Sequence, residues 1–279
     1  MMDARLAEFA AFAAQPDAEL SLCHGALLFA TDEYPNLNVA QHEQRLQDLG
    51  AEATLHVPQH LQPEHRINAL NDFLFNRKSF RGNRDNYYDP RNSYLNDVLD
   101  RGLGIPISLA VVYMEVSRQV GLGMAGIGLP GHFMCKCTEP GCDLFIDVFN
   151  GGRTMVAEEC LTVASQISDK WLTPAACEHF LRPISVRRIL FRMLLNLKGI
   201  FVQSNQLDRA IRIADRLLLL VPSADDELRD RGLLQLRKGD ERRAAKDLSA
   251  YLQSQPAAAD ADSIRRTLHQ IATRGHRLN

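Results

Sequence analysis

The C-terminal third of the chain superposes on itself when shifted by 34 residues. Leu194 meets Leu228, Arg209 meets Arg243, Ala210 meets Ala244, Leu218 meets Leu252 and Pro222 meets Pro256. A period of this length restricts the fold to stacked helical or mixed units, because a single unit cannot bury its own apolar face. The small residues Ala210 and Ala244 let two antiparallel helices approach closely. The prolines beyond them end each second helix by removing an amide donor and clashing with the preceding turn. Asn205-Gln206 and Gly239-Asp240 supply the short turns within each pair.

In this pattern, with Gly232, Ala244 and Pro256, the segment resembles the tetratricopeptide repeat. The first copy departs from it at Lys198, where the pattern has a small residue. The resemblance implies helical hairpins from Arg187 to Pro256 and a polar capping helix from Asp262 to Thr273, with Arg265, Arg266 and His269 facing water. The first helix of each pair would line a concave groove. That places Arg192, Leu195, Gly199 and Val202 there from the first copy, and Asp226, Arg229, Leu233 and Leu236 from the second. Such a mixed, partly apolar surface suits a protein or peptide partner and lacks the Lys and Asn cluster that would grip a peptide carboxylate. Two hairpins are fewer than the roughly three usually needed for independent stability. The array is therefore expected to lean on the N-terminal domain, including the linker around Trp171, as one cooperative unit.

The chain has 279 residues, 46% of them apolar, enough for two cored domains, which the patterns place at 1–180 and 181–279. The formal charge is −2 and the two signs are interspersed, which argues against nucleic acid or an anionic membrane as partner. Leu217 to Val221 is the longest purely aliphatic run, far short of the ~18 residues of a membrane span. The start, Met-Met-Asp-Ala-Arg-Leu, lacks the basic and apolar regions of a signal peptide, so a cytoplasmic location is expected. The cysteines Cys23, Cys135, Cys137, Cys142, Cys160 and Cys177 then read as reduced thiols.

From Asp17 to Phe80 the pattern is helical: Leu20, Leu22, Leu27 and Leu28 fall near one face, Pro35 breaks the run, and Pro63 opens a helix carrying Ile67, Leu70, Phe73 and Leu74. A polar, aromatic loop follows from Arg81, ending in a cap at Asn92 or Ser93. Next comes a helix with Pro106 in its first turn, apolar on nearly every side from Ile107 to Val116 except at Glu115, and closed by Gly121. Three β segments are expected at Met124–Leu129, His132–Cys137 and Asp143–Phe149, with Asn150-Gly151 turning the chain into Arg153-Thr154-Met155.

Gly104-Ile-Pro-Ile-Ser-Leu-Ala110, Leu129-Pro-Gly-His-Phe133 and Ile146-Asp-Val-Phe-Asn-Gly-Gly152 together resemble the SirB-one family of bacterial proteins, as do Glu33-Tyr-Pro35 and the run from Asn86 to Ser93. That family joins a transglutaminase-like core to tetratricopeptide-type repeats. The resemblance implies an α+β, papain-like core with N-terminal helices, a buried helix lying on an antiparallel sheet, followed by an all-α repeat module. In active relatives a Cys at the start of the buried helix attacks an acyl carbon, a His on the next strand is its base, and an Asp on the strand after orients the His. His132 and Asp147 match the second and third positions. The first falls on Pro106 or, two residues on, on Ser108, and neither is Cys.

A rival zinc set of His132, Cys135, Cys137 and Cys142 conflicts with strand alternation, which puts His132, Met134 and Lys136 on one face and Phe133, Cys135 and Cys137 on the other. Apolar padding under a helix is the better account of the cysteines, so no metal is expected. Gly121-x-Gly123 and Gly126-x-Gly128 have no following helix, so no dinucleotide cofactor is expected either. Two function classes remain. The first is a binding or scaffold protein whose triad has lost its thiol. The second is an atypical hydrolase or acyl transferase using Ser108, His132 and Asp147.

Overall fold

A computed structural model describes residues 4–168 and 180–275. Trp171 and the Cys177–His179 stretch lie outside the described residues. The contacts group Gln15–Met193 into one unit, and the residues up to Ala14 with those from Leu194 into another. This differs from a division at residue 180, chiefly because the first helix, α1 (Ala4–Ala13), joins the repeats.

The first unit begins with α2 (Leu22–Leu28), where the Ser21 hydroxyl accepts the His24 amide at 3.2 Å, and α3 (Val39–Thr54), capped by Asn38. Pro63 opens α4 (Pro63–Asn71), which runs on as a π-helical stretch over Asp72–Arg77, burying Ile67, Leu70, Phe73 and Leu74 as the sequence pattern predicts. Two short strands, β1 (Arg81–Gly82) and β2 (Leu103–Gly104), pair in parallel. The loop between them holds a 3-10 turn at Pro90–Asn92 and α5 (Leu95–Arg101). The expected cap at Asn92 or Ser93 is not made. Asp89 caps the 3-10 turn by accepting the Arg91 amide, and Asn92 and Ser93 are fully buried.

The buried helix is α6 (Pro106–Gln119), with Pro106 in its first turn, where the missing amide costs nothing. Its C-terminal turn gives way to Gly121 at a φ of 69°, a left-handed conformation that suits glycine. Arg66, itself buried, donates to the Val120 carbonyl at 2.5 Å, placing a cation at the negative end of this helix. Four antiparallel strands follow in the order β3 (Met124–Ile127), β4 (Met134–Cys137), β5 (Phe145–Asp147) and β6 (Arg153–Met155).

The strands are shorter than the sequence suggests. Pro130 and Gly131 form a turn in which His132 N–H donates to the Leu129 carbonyl at 3.3 Å, holding His132 off the ladder. Val148–Asn150 coils into a 3-10 turn, which takes Phe149 out of β5. One sheet face, with Ile127, Met134, Phe145 and Met155, packs on Cys160 and Ala164 of α7 (Ala157–Ser168). The other faces α6. There Cys135, opposite Ile146 in the register, brings its sulfur to 3.9 Å from the Ala110 carbonyl. The expected arrangement of a buried helix on an antiparallel sheet is thus present.

The second unit contains the rest of α8 (Val186–Gln203) and then α9 (Leu207–Leu220), α10 (Asp225–Lys238), α11 (Glu241–Ser254) and α12 (Ala261–Gly275). From α9 to α12, neighbours in the series pack pairwise as a helical array. The second helix of each pair ends before Pro222 and Pro256, as the repeat predicts. Gly232 lets α10 and α11 meet, since a Cβ there would lie 2.9 Å from Leu248 carbons. Ion pairs also join these helices: Lys198 reaches Glu227 at 2.6 Å and Asp230 at 2.8 Å, and Arg231 bridges Asp215 and Asp247. Lys198, the departure from the repeat pattern, therefore finds its partners on α10. Helix α1 packs on α9, with the fully buried Phe9 ring beneath the Arg216 guanidinium at 4.9 Å.

Candidate functional site

Two of the three expected catalytic side chains meet. His132 Nε2 lies 3.1 Å from Asp147 Oδ2, and both side chains are about 95% buried. Apart from this close approach, Nε2 has no partner among the described residues. His132 sits in the turn before β4 rather than on a strand, while Asp147 closes β5 and caps the 3-10 turn after it.

Asp147 is held from the other side by one residue. The Asn150 amide donates to Oδ1 at 3.2 Å, and the Asn150 side chain donates to Oδ2 at 2.7 Å. Burial alone would push the Asp147 carboxyl up. The adjacent His132 imidazole and the two Asn150 donors outweigh it, so the carboxyl titrates below its ordinary value. Asn150 is fixed in turn by Arg84, whose guanidinium donates to Asn150 Oδ1 and lies 5.6 Å from the centre of the Phe149 ring. The His132 turn is clamped by Arg192 on α8, which donates to the Leu129 and His132 carbonyls at 2.9 and 3.0 Å and stacks over Phe133.

Ser108 does not join the pair. Its hydroxyl donates to the Asn92 carbonyl at 2.5 Å and accepts the Ile105 amide at 3.1 Å, in a fully buried setting. It closes the first turn of α6 and ties that turn to the β1–β2 loop. Asn92 is the hub of that loop: its side-chain nitrogen donates to the Asn86 and Tyr87 carbonyls, and its side-chain oxygen accepts from Asn83 at 3.0 Å. Gly104 is required here, because a Cβ would lie 2.8 Å from the Ser108 oxygen.

Among the described residues, Cys135 and Cys23 offer no substitute thiolate. Burial pushes the Cys135 thiol far up, with the Asp147 charge adding to it, and burial with Glu115 and Glu43 raises Cys23 to about 12. The chemistry the site retains is an imidazole oriented by a buried carboxylate, beside a helix start that carries a proline and a bonded serine.

The residues expected in the repeat groove are used in several ways. Arg192 belongs to the first unit and serves the His132 turn. Leu195, Val202 and Leu236 are half-buried. Leu233 packs against Leu248, Tyr251 and Ile264. Arg229 pairs with Asp226, Asp230 and Asp260 and stacks over Tyr251.

Sequence reasoning missed Asn92, Asn150, Arg84 and the role of Arg192. Asn150 was legible only as a turn residue before glycine. The run of Asn83, Asn86 and Asn92 in a loop next to a buried helix was the available signal, since buried amides must find partners.

The profile of the transglutaminase-like superfamily matches residues 40–195, and that of the tetratricopeptide repeat matches residues 197–269. A UPF0162 protein of Xylella fastidiosa (strain 9a5c) is 40% identical over 250 residues, covering 89% of both chains. The UPF0162 protein YchA of Escherichia coli (strain K12) is 25% identical over 262 residues, covering 90% of this chain and 93% of its own. F-box only protein 21 of Mus musculus is 33% identical over 139 residues, which are 47% of this chain and 21% of that protein. No solved structure matches the chain. With that profile spanning over half its residues and that likeness along nearly its whole length, this protein belongs to the transglutaminase-like superfamily and, within it, to the UPF0162 proteins.

Proposed function

We propose that this is a cytoplasmic protein-binding or scaffold protein of the SirB-one family, in which a transglutaminase-like core has kept its His–Asp pair without a nucleophile. The observation that carries this reading is the Ser108 hydroxyl, which donates to the Asn92 carbonyl and accepts from the Ile105 amide and makes no hydrogen bond to His132 Nε2. A nucleophilic serine needs its base within about 3 Å. Removing a triad nucleophile typically costs on the order of 10⁶-fold in rate. The tetratricopeptide profile over residues 197–269 favours a protein or peptide partner, and no described helix is long and apolar enough to cross a membrane.

The test compares wild type, Ser108→Ala and His132→Ala with a fluorophosphonate probe and in a glutamine–lysine crosslinking assay. Neither labelling nor crosslinking is expected. Labelling lost in both variants would establish the Ser108–His132–Asp147 hydrolase or acyl transferase instead. Crosslinking that vanishes only in His132→Ala would point to an unrecognised thiol.

A further inference from the structure

Beyond the His132–Asp147 pair lies an open pocket of about 460 Å³ between β1 and the turn joining β5 to β6. Its walls include Arg81, Arg84, Asp85, Phe149 and Asn150. Three observations mark it as shaped for a ligand. Neither Arg81 nor Arg84 has a carboxylate partner among the described residues. Arg84 is nonetheless held in place, by its bond to Asn150 Oδ1 and by the Phe149 ring, whose own position is braced by the edge of Tyr87 at 5.9 Å. The floor, finally, tolerates no side chain at Gly82. A Cβ there would lie 2.5 Å from Phe149 ring carbons and 2.7 Å from its carbonyl oxygen.

We propose that this pocket binds a carboxylate group, gripped by Arg81 and Arg84 beside the Phe149 ring. The planar guanidinium fork matches the two oxygens of a carboxylate, and a pre-positioned fork loses little freedom on binding. Asp85 on the rim carries the opposite charge. It leaves the pocket one net positive charge, which a monoanion neutralises, while the Asp85 carboxylate repels each further negative charge of a phosphate dianion. The carboxylate comes from a peptide, either as an acidic side chain or as a chain terminus. This deepens the binding reading above by naming what the partner presents to the core unit, and it joins the pocket to the buried pair through Asn150, which touches both Arg84 and Asp147.

The experiment titrates the full-length ¹⁵N-labelled protein with four probes. N-acetylglutamate α-amide carries a side-chain carboxylate and N-acetylalanine a terminal one, N-acetylglutamine α-amide is the neutral control, and inorganic phosphate is the dianion. Saturable shifts of the Arg81–Asp85 and Asn150–Gly152 amides are expected with at least one carboxylate, and none with the neutral amide. The tighter carboxylate identifies the source. Arg81→Gln and Arg84→Gln should each weaken binding about tenfold or more, and Asp85→Asn should strengthen phosphate more than carboxylate. The Arg81 side chain makes no hydrogen bond among the described residues, its backbone amide alone pairing with the Gly102 carbonyl, so Arg81→Gln keeps the test valid if Arg84→Gln unsettles the Asn150 turn. The proposal is overturned by no saturable shift, by shifts that survive Arg81→Gln, or by phosphate binding wild type more tightly than either carboxylate. None of these outcomes alters the serine-probe result, so the two readings fail separately.

Discussion

The hydroxyl of Ser108 lies 2.5 Å from the carbonyl oxygen of Asn92, a bond that joins the first turn of the buried helix to a loop sixteen residues earlier in the chain. Both groups are fully buried. Ser108→Ala removes the donor to Asn92 and the acceptor for the Ile105 amide at once. The Ile105 amide also donates to the Asn92 carbonyl at 3.3 Å, so the variant loses two buried hydrogen bonds without orphaning either group, and a loss of about 1 kcal/mol is expected. Urea unfolding checks this. A variant as stable as wild type would show that the serine is not structural and would return it to candidacy as a nucleophile.

Asp147 makes stability depend on pH. Its folded carboxyl titrates below the ordinary value, because the His132 and Asn150 contacts outweigh burial. The folded state therefore binds the proton less readily than the unfolded chain does. The contribution is fully present above the unfolded value near 3.9 and is lost as pH falls through the lower folded value. The stability gap between wild type and Asp147→Asn should be constant near neutrality and shrink below about pH 4. A gap that widens on acidification would reverse the sign and exclude a depressed carboxyl.

Arg192 holds two carbonyls of the His132 turn. Arg192→Met keeps its apolar stem and removes both bonds, for an expected loss of about 2 kcal/mol. Both bonds come from one guanidinium nitrogen, so Arg192→Lys should recover part of it, short of the whole because it loses the stacking over Phe133. Hydrogen exchange offers the local readout: the amides of His132 to Cys135 should exchange faster in both variants. Unchanged exchange there would mean the turn is fixed by Pro130 and Gly131 alone.

In the repeat unit, burial raises the Glu227 carboxyl despite the nearby Lys198 ammonium. Lys198→Met strips that carboxylate of its cation. A loss of about 3 kcal/mol at neutral pH is expected, in line with breaking other buried pairs. The sign on acidification follows from the raised value: the folded state takes up a proton at Glu227 more readily than the unfolded chain. The variant should therefore regain stability relative to wild type as the pH falls towards 5. A deficit independent of pH would assign the cost to packing instead.

The local elements were legible because they depend on neighbours in sequence. Pro63 and Pro106 open helices, Gly121 ends one, and Pro222 and Pro256 follow the ends of others, since each acts on the backbone within a turn of itself. The repeat period reported the stacking of α9 to α11 for the same reason, small residues recurring where helices touch. His132 and Asp147 were legible as a pair only through the resemblance, and their 3.1 Å approach required the sheet register.

The sequence by itself determined the helices bounded by Pro63, Pro106, Gly121, Pro222 and Pro256, the order of β3 to β6 and the absence of a cysteine at the start of α6. Only the tertiary structure decided what long-range partners do. It turned Ser108 into a clip for Asn92, used Asn150 to hold Asp147, and sent Arg192 to the His132 turn. It also packed Phe9 and the rest of α1 on α9, some two hundred residues away in sequence. The physical reason is the same in each case. Helix and turn signals are encoded in residues a few positions apart, whereas a buried hydroxyl, amide or apolar face is satisfied by whichever group the fold brings to it, at any distance along the chain.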